Sequence, residues 1–109
     1  MARVQGEWMR GAGPLAVLKL LEGGDMYGYQ LAEALERRSD GLLAMGHSTL
    51  YPLLYNLESK GLVAPARERT TNGRRRKYWR ITDRGRSWLD EHGQEWSRLV
   101  EAMERLGFA

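Results

Sequence analysis

The pair Asn72-Gly73 forces the chain to reverse direction. Both residues tolerate positive φ, so the pair suits the two-residue turn that joins antiparallel strands. Strand-like segments lie on either side, Leu62–Arg69 and Arg74–Thr82. Alternation along the second sends Tyr78 and Arg80 to one face and Trp79 and Ile81 to the other, which predicts aromatic and basic groups on both faces near the tip. The rest of the sequence is patterned for helices. A chain of 109 residues with one hairpin among helices is expected to be mainly α with a small β-hairpin, built around a modest core.

The helical pattern resolves into four segments. PLAVLKLLE (14–22) is apolar, with Pro14 suited to a first turn, and Gly23-Gly24 ends it. Asp25 is the expected N-cap of a second helix, about 26–38, whose Tyr27, Leu31, Ala34 and Leu35 fall at helical spacing. Residues 39–46 read as a loop. Ser48 is the expected cap of a third helix, with Pro52 in its first turn. There Leu50, Leu53, Leu54 and Leu57 make one apolar face. The opposite face shows Thr49, Pro52, Asn56 and Ser59, with Tyr51 and Tyr55 at its borders, and Gly61 stops the helix after Lys60.

The last helix runs from about Asp83 to Leu106, capped by Thr82. Leu89, His92, Trp96, Leu99, Met103 and Leu106 recur at intervals of three and four, a heptad-like seam. So long a helix cannot bury its stripe on the domain before it. Pairing with a second copy is the simplest remedy, and folding back on its own domain is the other. The expected division is therefore 1–82 as one unit and 83–109 as a dimerisation helix. Gly93 in mid-helix costs about 1 kcal/mol relative to Ala.

Charge is concentrated. From Arg67 to Arg86 there are nine basic residues and two acids, whereas from Ser87 to Ala109 there are five acids and two arginines. A basic block in an otherwise acidic chain is the footprint of a polyanion, although a solvated charged hairpin has the same composition. The chain has no cysteine and two histidines far apart, so neither a disulfide nor a metal-ligand spacing is present. His47 and Ser48 are neighbours without a third orienting group, and the glycine run at 11–13 lacks the lysine and strand of a phosphate loop, so enzyme chemistry and cofactors are not expected. No apolar run is long enough to span a membrane, and the N-terminus does not read as a signal peptide, which points to a cytoplasmic protein.

Three helices followed by a basic hairpin is the order of a winged helix-turn-helix. The third helix would offer its polar face to a major groove of double-stranded DNA, with Ser48, Thr49, Tyr51, Pro52 and Asn56 as candidate contacts. Arg74, Arg75, Arg76 and Lys77 would meet backbone phosphates. Tyr78 and Trp79 would anchor the wing, with the Tyr78 hydroxyl a further phosphate donor. Wing contacts supply affinity and position, and any sequence reading falls to the third helix.

Three stretches, LAVLKLLEGGDMYGYQLAEAL (15–35), STLYPLLYNLESKGLV (48–63) and GRRRKYWRITDRGR (73–86), resemble the PadR-like transcriptional regulators over nearly the whole chain. The resemblance implies a cytoplasmic repressor that binds its operator as a homodimer, in the short form with a single C-terminal dimerisation helix. EWSRLVEAMERL (95–106) looks like the branch that holds planar, hydrophobic or cationic compounds between the two final helices, for multidrug or phenolic sensing. Trp96 matches the residue that stacks on such a ligand, with Leu99 beside it, and Trp8 and Met9 would line the same pocket. Trp96 as a plain heptad core residue fits the same position. The family often has a basic residue where Asn56 stands, and Asn can instead pair with adenine. Gly11, Gly13 and Pro14 are expected to interrupt an N-terminal helix that relatives keep continuous. Two other readings remain open: a DNA-binding protein with no small-molecule effector or with a protein effector, and a winged helix turned protein-interaction module.

Overall fold

The computed structural model describes residues 3–109, and at positions 69 and 71 the backbone alone. Residues 1 and 2 of the expected 1–82 unit lie outside the described residues.

The N-terminal helix α1 spans Gly6–Glu22 without a break. This corrects the expected interruption at Gly11, Gly13 and Pro14. Pro14 lies well inside the helix, so the Arg10 carbonyl loses its usual α-helical donor. Gly13 shows what compensates. It is buried against α3 (His47–Ser59), and a β-carbon there would come within 3.0 Å of Leu53. The glycine lets the two helices approach closely, and Val17, Leu18, Leu20 and Leu21 one turn on are all buried. The segment before α1 is held by the Val4 N–H, which donates to the Leu42 carbonyl at 2.8 Å.

A short strand that the pattern did not suggest, β1 (Met26–Tyr27), precedes α2 (Gly28–Arg38). The cap of α2 is therefore Tyr27 and not Asp25. Gln30 carries the capping interaction, its side-chain oxygen accepting from the Tyr27 N–H at 3.2 Å. In the loop after α2, Ser39 Oγ donates to the Leu35 carbonyl at 2.6 Å and accepts from the Leu43 N–H at 2.9 Å.

Helix α3 begins one residue before the expected cap. Gly46 is the cap residue, and Ser48 lies in the first turn. Pro52 falls in the second turn rather than the first, where the missing N–H removes the usual donor to the Ser48 carbonyl. Leu50, Leu54 and Leu57 are buried and Leu53 packs against them, so the apolar face is as read. Gly61 (φ +75°) ends the helix, with the Leu62 N–H returning to the Leu57 carbonyl at 2.9 Å.

The hairpin has four short strands: β2 (Val63–Pro65), β3 (Arg69–Thr71), β4 (Arg74–Arg76) and β5 (Tyr78–Ile81). At its base, β5 pairs antiparallel with β2 and with β1, in the order β1-β5-β2. At its tip, β3 and β4 turn at Asn72 (φ +53°) and Gly73 (φ +75°), both in the left-handed region that such a turn needs. Register shifts between base and tip. Pro65 faces Trp79 and Arg69 faces Arg76, so residues 66–68 oppose only 77 and 78. That extra residue is a bulge, which breaks each expected strand in two and re-aims the tip.

Alternation also fails at one place. Tyr78 is buried although it shares a side with exposed Arg80, because β1 brings Tyr27 edge-on to it at 5.3 Å between ring centroids. Trp79 is fully buried in the core with Ile81.

Helix α4 spans Asp83–Arg105. Thr82 caps it as expected, its Oγ1 accepting from the Gly85 N–H at 3.0 Å and donating to the Gly61 carbonyl at 2.6 Å. Gly85 is buried where a β-carbon would collide with the Leu62 carbonyl, and with Ile81 at 2.8 Å. The first half of α4 packs on α1 through Leu89. No helix among the described residues is long and apolar enough to cross a membrane.

Gly85→Ala is expected to lower unfolding stability by about 2 kcal/mol, because backbone cannot yield as a side chain can. Gly93→Ala, whose β-carbon meets nothing within 4 Å, is expected to raise it by up to about 1 kcal/mol through helix propensity. Urea melts of the two variants check the pair.

Candidate nucleic-acid interface

The expected contacts converge on one side of the molecule. Thr49, Pro52, Asn56 and Ser59 of α3 are exposed, as is Ser48. Tyr51 and Tyr55 at the border of this face turn toward the wing. Tyr51, Tyr27, Gly28, Tyr29 and His47 line a cleft of about 270 Å³ together with Arg74, Arg75, Arg76 and Lys77. The wing is thus held beside the start of α3 and the start of α2.

Aromatic rings build this side. Tyr29, His47, Tyr51 and Tyr55 follow one another with centroids 6.2, 5.6 and 6.4 Å apart and planes tilted by 33°, 24° and 34°. Tyr55 then meets Trp79 edge-on at 5.7 Å. The row crosses from α2 along α3 to the sheet. Gly28 makes it possible, because a β-carbon there would overlap the Tyr51 hydroxyl.

The same rings hold the cations. Arg76 lies over Tyr27 at 4.4 Å from the centroid. Lys77 lies over Trp79 at 4.3 Å and near Tyr55 at 5.5 Å. Each such contact is worth about 0.5–1 kcal/mol where exposed. Arg75 pairs with Glu68 at 2.7 Å, on the surface. Tyr78, expected as a phosphate donor, is 9% exposed and serves the base of the wing. His47 joins this surface without a sequence pattern that marks it. Its only signal is its place ahead of Ser48; its ring stacks on Tyr51 of the same helix, and the tilted Tyr29 ring comes from another.

A second concavity is larger. Between α1 and α4 runs a groove of about 1190 Å³, walled by Trp8, Ala12, Leu15 and Ala16 on one side and Leu89, Gly93 and Trp96 on the other. Its charged lining balances: Lys19 pairs with Glu22 at 2.9 Å, and Asp90 and Arg98 contribute one charge each. Trp8 and Trp96 therefore line the same groove. Met9 does not line it and packs on the core instead, and Leu99 lies outside its walls.

The seam residues of α4 also divide. Leu89 is 6% exposed and belongs to the core of its own chain. His92 stacks on Trp88 at 3.9 Å, with Nδ1 2.9 Å from the Trp88 carbonyl. Trp96, Leu99, Met103 and Leu106 are exposed, and Val100 and Phe108 add to them. Among the described residues no group of three or more His, Cys, Asp or Glu is placed to hold a metal ion.

Three helices, a three-stranded sheet and a basic wing beside the third helix define a winged-helix protein of the DNA-binding type. The model of the transcriptional regulator PadR-like family matches residues 17–91, and the chain belongs to that family. It is a transcriptional regulator and not an enzyme. It is 33% identical to the transcriptional regulator Rv3488 of Mycobacterium tuberculosis over 93% of this chain and 89% of that one. Among solved structures, it is similar to a PadR family transcriptional regulator from Eggerthella lenta (34% identity, TM-score 0.78, 92% of this chain and 85% of that one). A PadR-like regulator from Bacillus cereus aligns at 25% identity and TM-score 0.82, over 95% and 99%.

Tyr27→Leu removes the ring under Arg76 and against Tyr78. It is expected to lower stability by about 1 kcal/mol and to speed hydrogen exchange at the amides of 74–78 more than elsewhere. Exchange read by NMR on both proteins checks this.

Proposed function

We propose that this regulator is an operator-specific repressor that acts in the cytoplasm as a homodimer and is released by a small planar hydrophobic or aromatic effector. The observation that carries the reading is the apolar stripe of α4, which runs from Trp96 through Leu99 and Met103 to Leu106 and begins where the groove between α1 and α4 ends. Residues 83–109 then serve as the dimerisation segment and 1–82 as the reading head. A stripe of this size on one helix calls for a partner, and the heptad spacing suits a copy of itself.

Two copies joined through α4 would present two α3 helices to DNA. Thr49 and Asn56 would face base edges, with Asn able to pair with adenine, while Ser48, Tyr51 and Pro52 flank them. Arg74, Arg75, Arg76 and Lys77 would neutralise phosphates. A dimer seated across a promoter excludes polymerase by occupancy, so repression is the simplest output. The effector would enter between Trp8 and Trp96, where the lining is mostly apolar and its charges cancel. Aromatic pairs gain about 0.5–1.5 kcal/mol beyond area burial, which favours a flat guest over a round one.

The test joins assembly, ligand and DNA. Leu99→Glu is expected to yield a monomer by light scattering and to lose binding to a duplex from upstream of its own gene at least tenfold, because a buried unpaired charge opposes the pair. Trp96→Ala is expected to keep DNA binding and to lose most of the tryptophan quenching caused by a planar dye such as proflavine. An unchanged dye affinity in Trp96→Ala would remove the effector from the proposal and leave a DNA-binding dimer without one.

A further inference from the structure

The cleft between the wing and the starts of α2 and α3 has a composition that DNA binding in general does not require. Its walls are Tyr27, Gly28, Tyr29, His47, Tyr51 and the four cations Arg74, Arg75, Arg76 and Lys77. No carboxylate lines it. Arg75 has Glu68 as its partner, Arg76 has the Tyr27 ring, and Lys77 has the Trp79 and Tyr55 rings. Arg74 has no ion pair among the described residues. So much like charge held together calls for an anion.

His47 closes the cleft on the α3 side. It is the first residue of that helix, is exposed, and is fixed by stacking on Tyr51 and by the tilted Tyr29 ring. No side chain of the described residues hydrogen-bonds to its imidazole. From α2 it faces Tyr29, from its own helix Tyr51, and from the wing the four cations.

We propose that this cleft is a binding site for one phosphodiester of the DNA backbone, with His47 as its titratable contact. The inference rests on the DNA-binding reading above. A neutral imidazole offers a phosphate one N–H at most, and an imidazolium adds a full positive charge. Histidine gains that charge as pH falls through the range near neutrality. Binding of a phosphate favours the charged form, so affinity for DNA rises as pH falls. Because a phosphate contact carries no sequence information, native and scrambled duplexes gain alike.

The experiment is fluorescence anisotropy with the full chain, the native upstream duplex and a scrambled one, across salt at about pH 8 and about pH 5.5. For the unaltered protein, both duplexes are expected to bind about threefold tighter or more at the lower pH, with a salt slope steeper by about 0.9, the value for one added phosphate contact. His47→Gln is expected to keep its melting temperature and its native-to-scrambled ratio while losing this gain. His47→Lys, charged throughout, is expected to bind at the higher pH as the unaltered protein does at the lower one. A pH response in His47→Gln equal to that of the unaltered protein would overturn the inference and leave the DNA reading intact. No binding of either duplex at any pH would overturn both. Inorganic phosphate at about 10 mM and constant ionic strength is expected to displace neither duplex, since a point anion lacks the rest of the backbone contacts. Displacement that His47→Gln abolishes would assign the cleft to free phosphate instead.

Discussion

The fold depends on one small junction. Thr82 Oγ1 donates to the Gly61 carbonyl at the end of α3 and accepts from the Gly85 N–H at the start of α4. The Thr82 N–H reaches the Leu62 carbonyl at 3.1 Å, and the Leu62 N–H reaches Leu57 inside α3. One threonine thus ties the end of the third helix, the base of the wing and the start of the last helix. Gly85 lets the chain fit, because any side chain there would meet the Leu62 carbonyl. An N-cap of this kind contributes about 1 kcal/mol by itself. Its larger effect is geometric: it fixes where the wing and α4 leave the domain, and hence the angle between the basic cleft and the apolar stripe.

From that junction the molecule divides its aromatic residues by purpose. Trp79 fills the core. Tyr27, Tyr55 and Trp79 hold Arg76 and Lys77 by their ring faces. Tyr29, His47 and Tyr51 make a half-exposed row along the cleft. The wing can therefore carry four adjacent cations and still stand in one orientation. Repulsion among them is offset by rings whose faces are electron-rich and whose edges are already packed.

Much of this was legible in the chain because local patterns and tertiary structure agree. The leucines of α3, the Asn72-Gly73 turn, the Gly61 stop and the Thr82 cap are each set by residues within a few positions of one another. The errors arose where distant residues decide. Pro14 sits inside α1 because Gly13 lets that helix close on Leu53 of α3, a contact forty residues away in the chain. Strand β1 is two residues long and exists only as an edge for β5, so no periodicity announces it. Tyr78 is buried against alternation for the same reason. At the candidate site the wing cations and the polar face of α3 could be read directly. His47 could not, since one of its two ring partners, Tyr29, comes from α2. Met9 was placed in the groove by its neighbour Trp8, but the helical turn sends the two side chains to different surroundings.

The groove and the helix proposed to read DNA meet α1 on different sides. Ala12, Leu15 and Ala16 face the groove, and Gly13 between them abuts Leu53 of α3. Packed interiors transmit displacement because they have no free volume to absorb it. On the proposed reading, a planar guest that parts Trp8 from Trp96 moves α1 relative to α4, and the Gly13–Leu53 contact carries that movement to the helix that reads DNA. In a dimer joined through α4 the two reading heads would move in opposite senses, so a small rotation at the groove becomes a change in their separation. The guest shifts the equilibrium only by its difference in affinity for the two geometries, and coupling of about 1–3 kcal/mol is the usual scale. That range corresponds to roughly 5- to 150-fold in operator affinity. Gly13 is then a coupling position as well as a packing one: the close approach that lets α1 run through Pro14 also leaves α3 no slack when α1 moves.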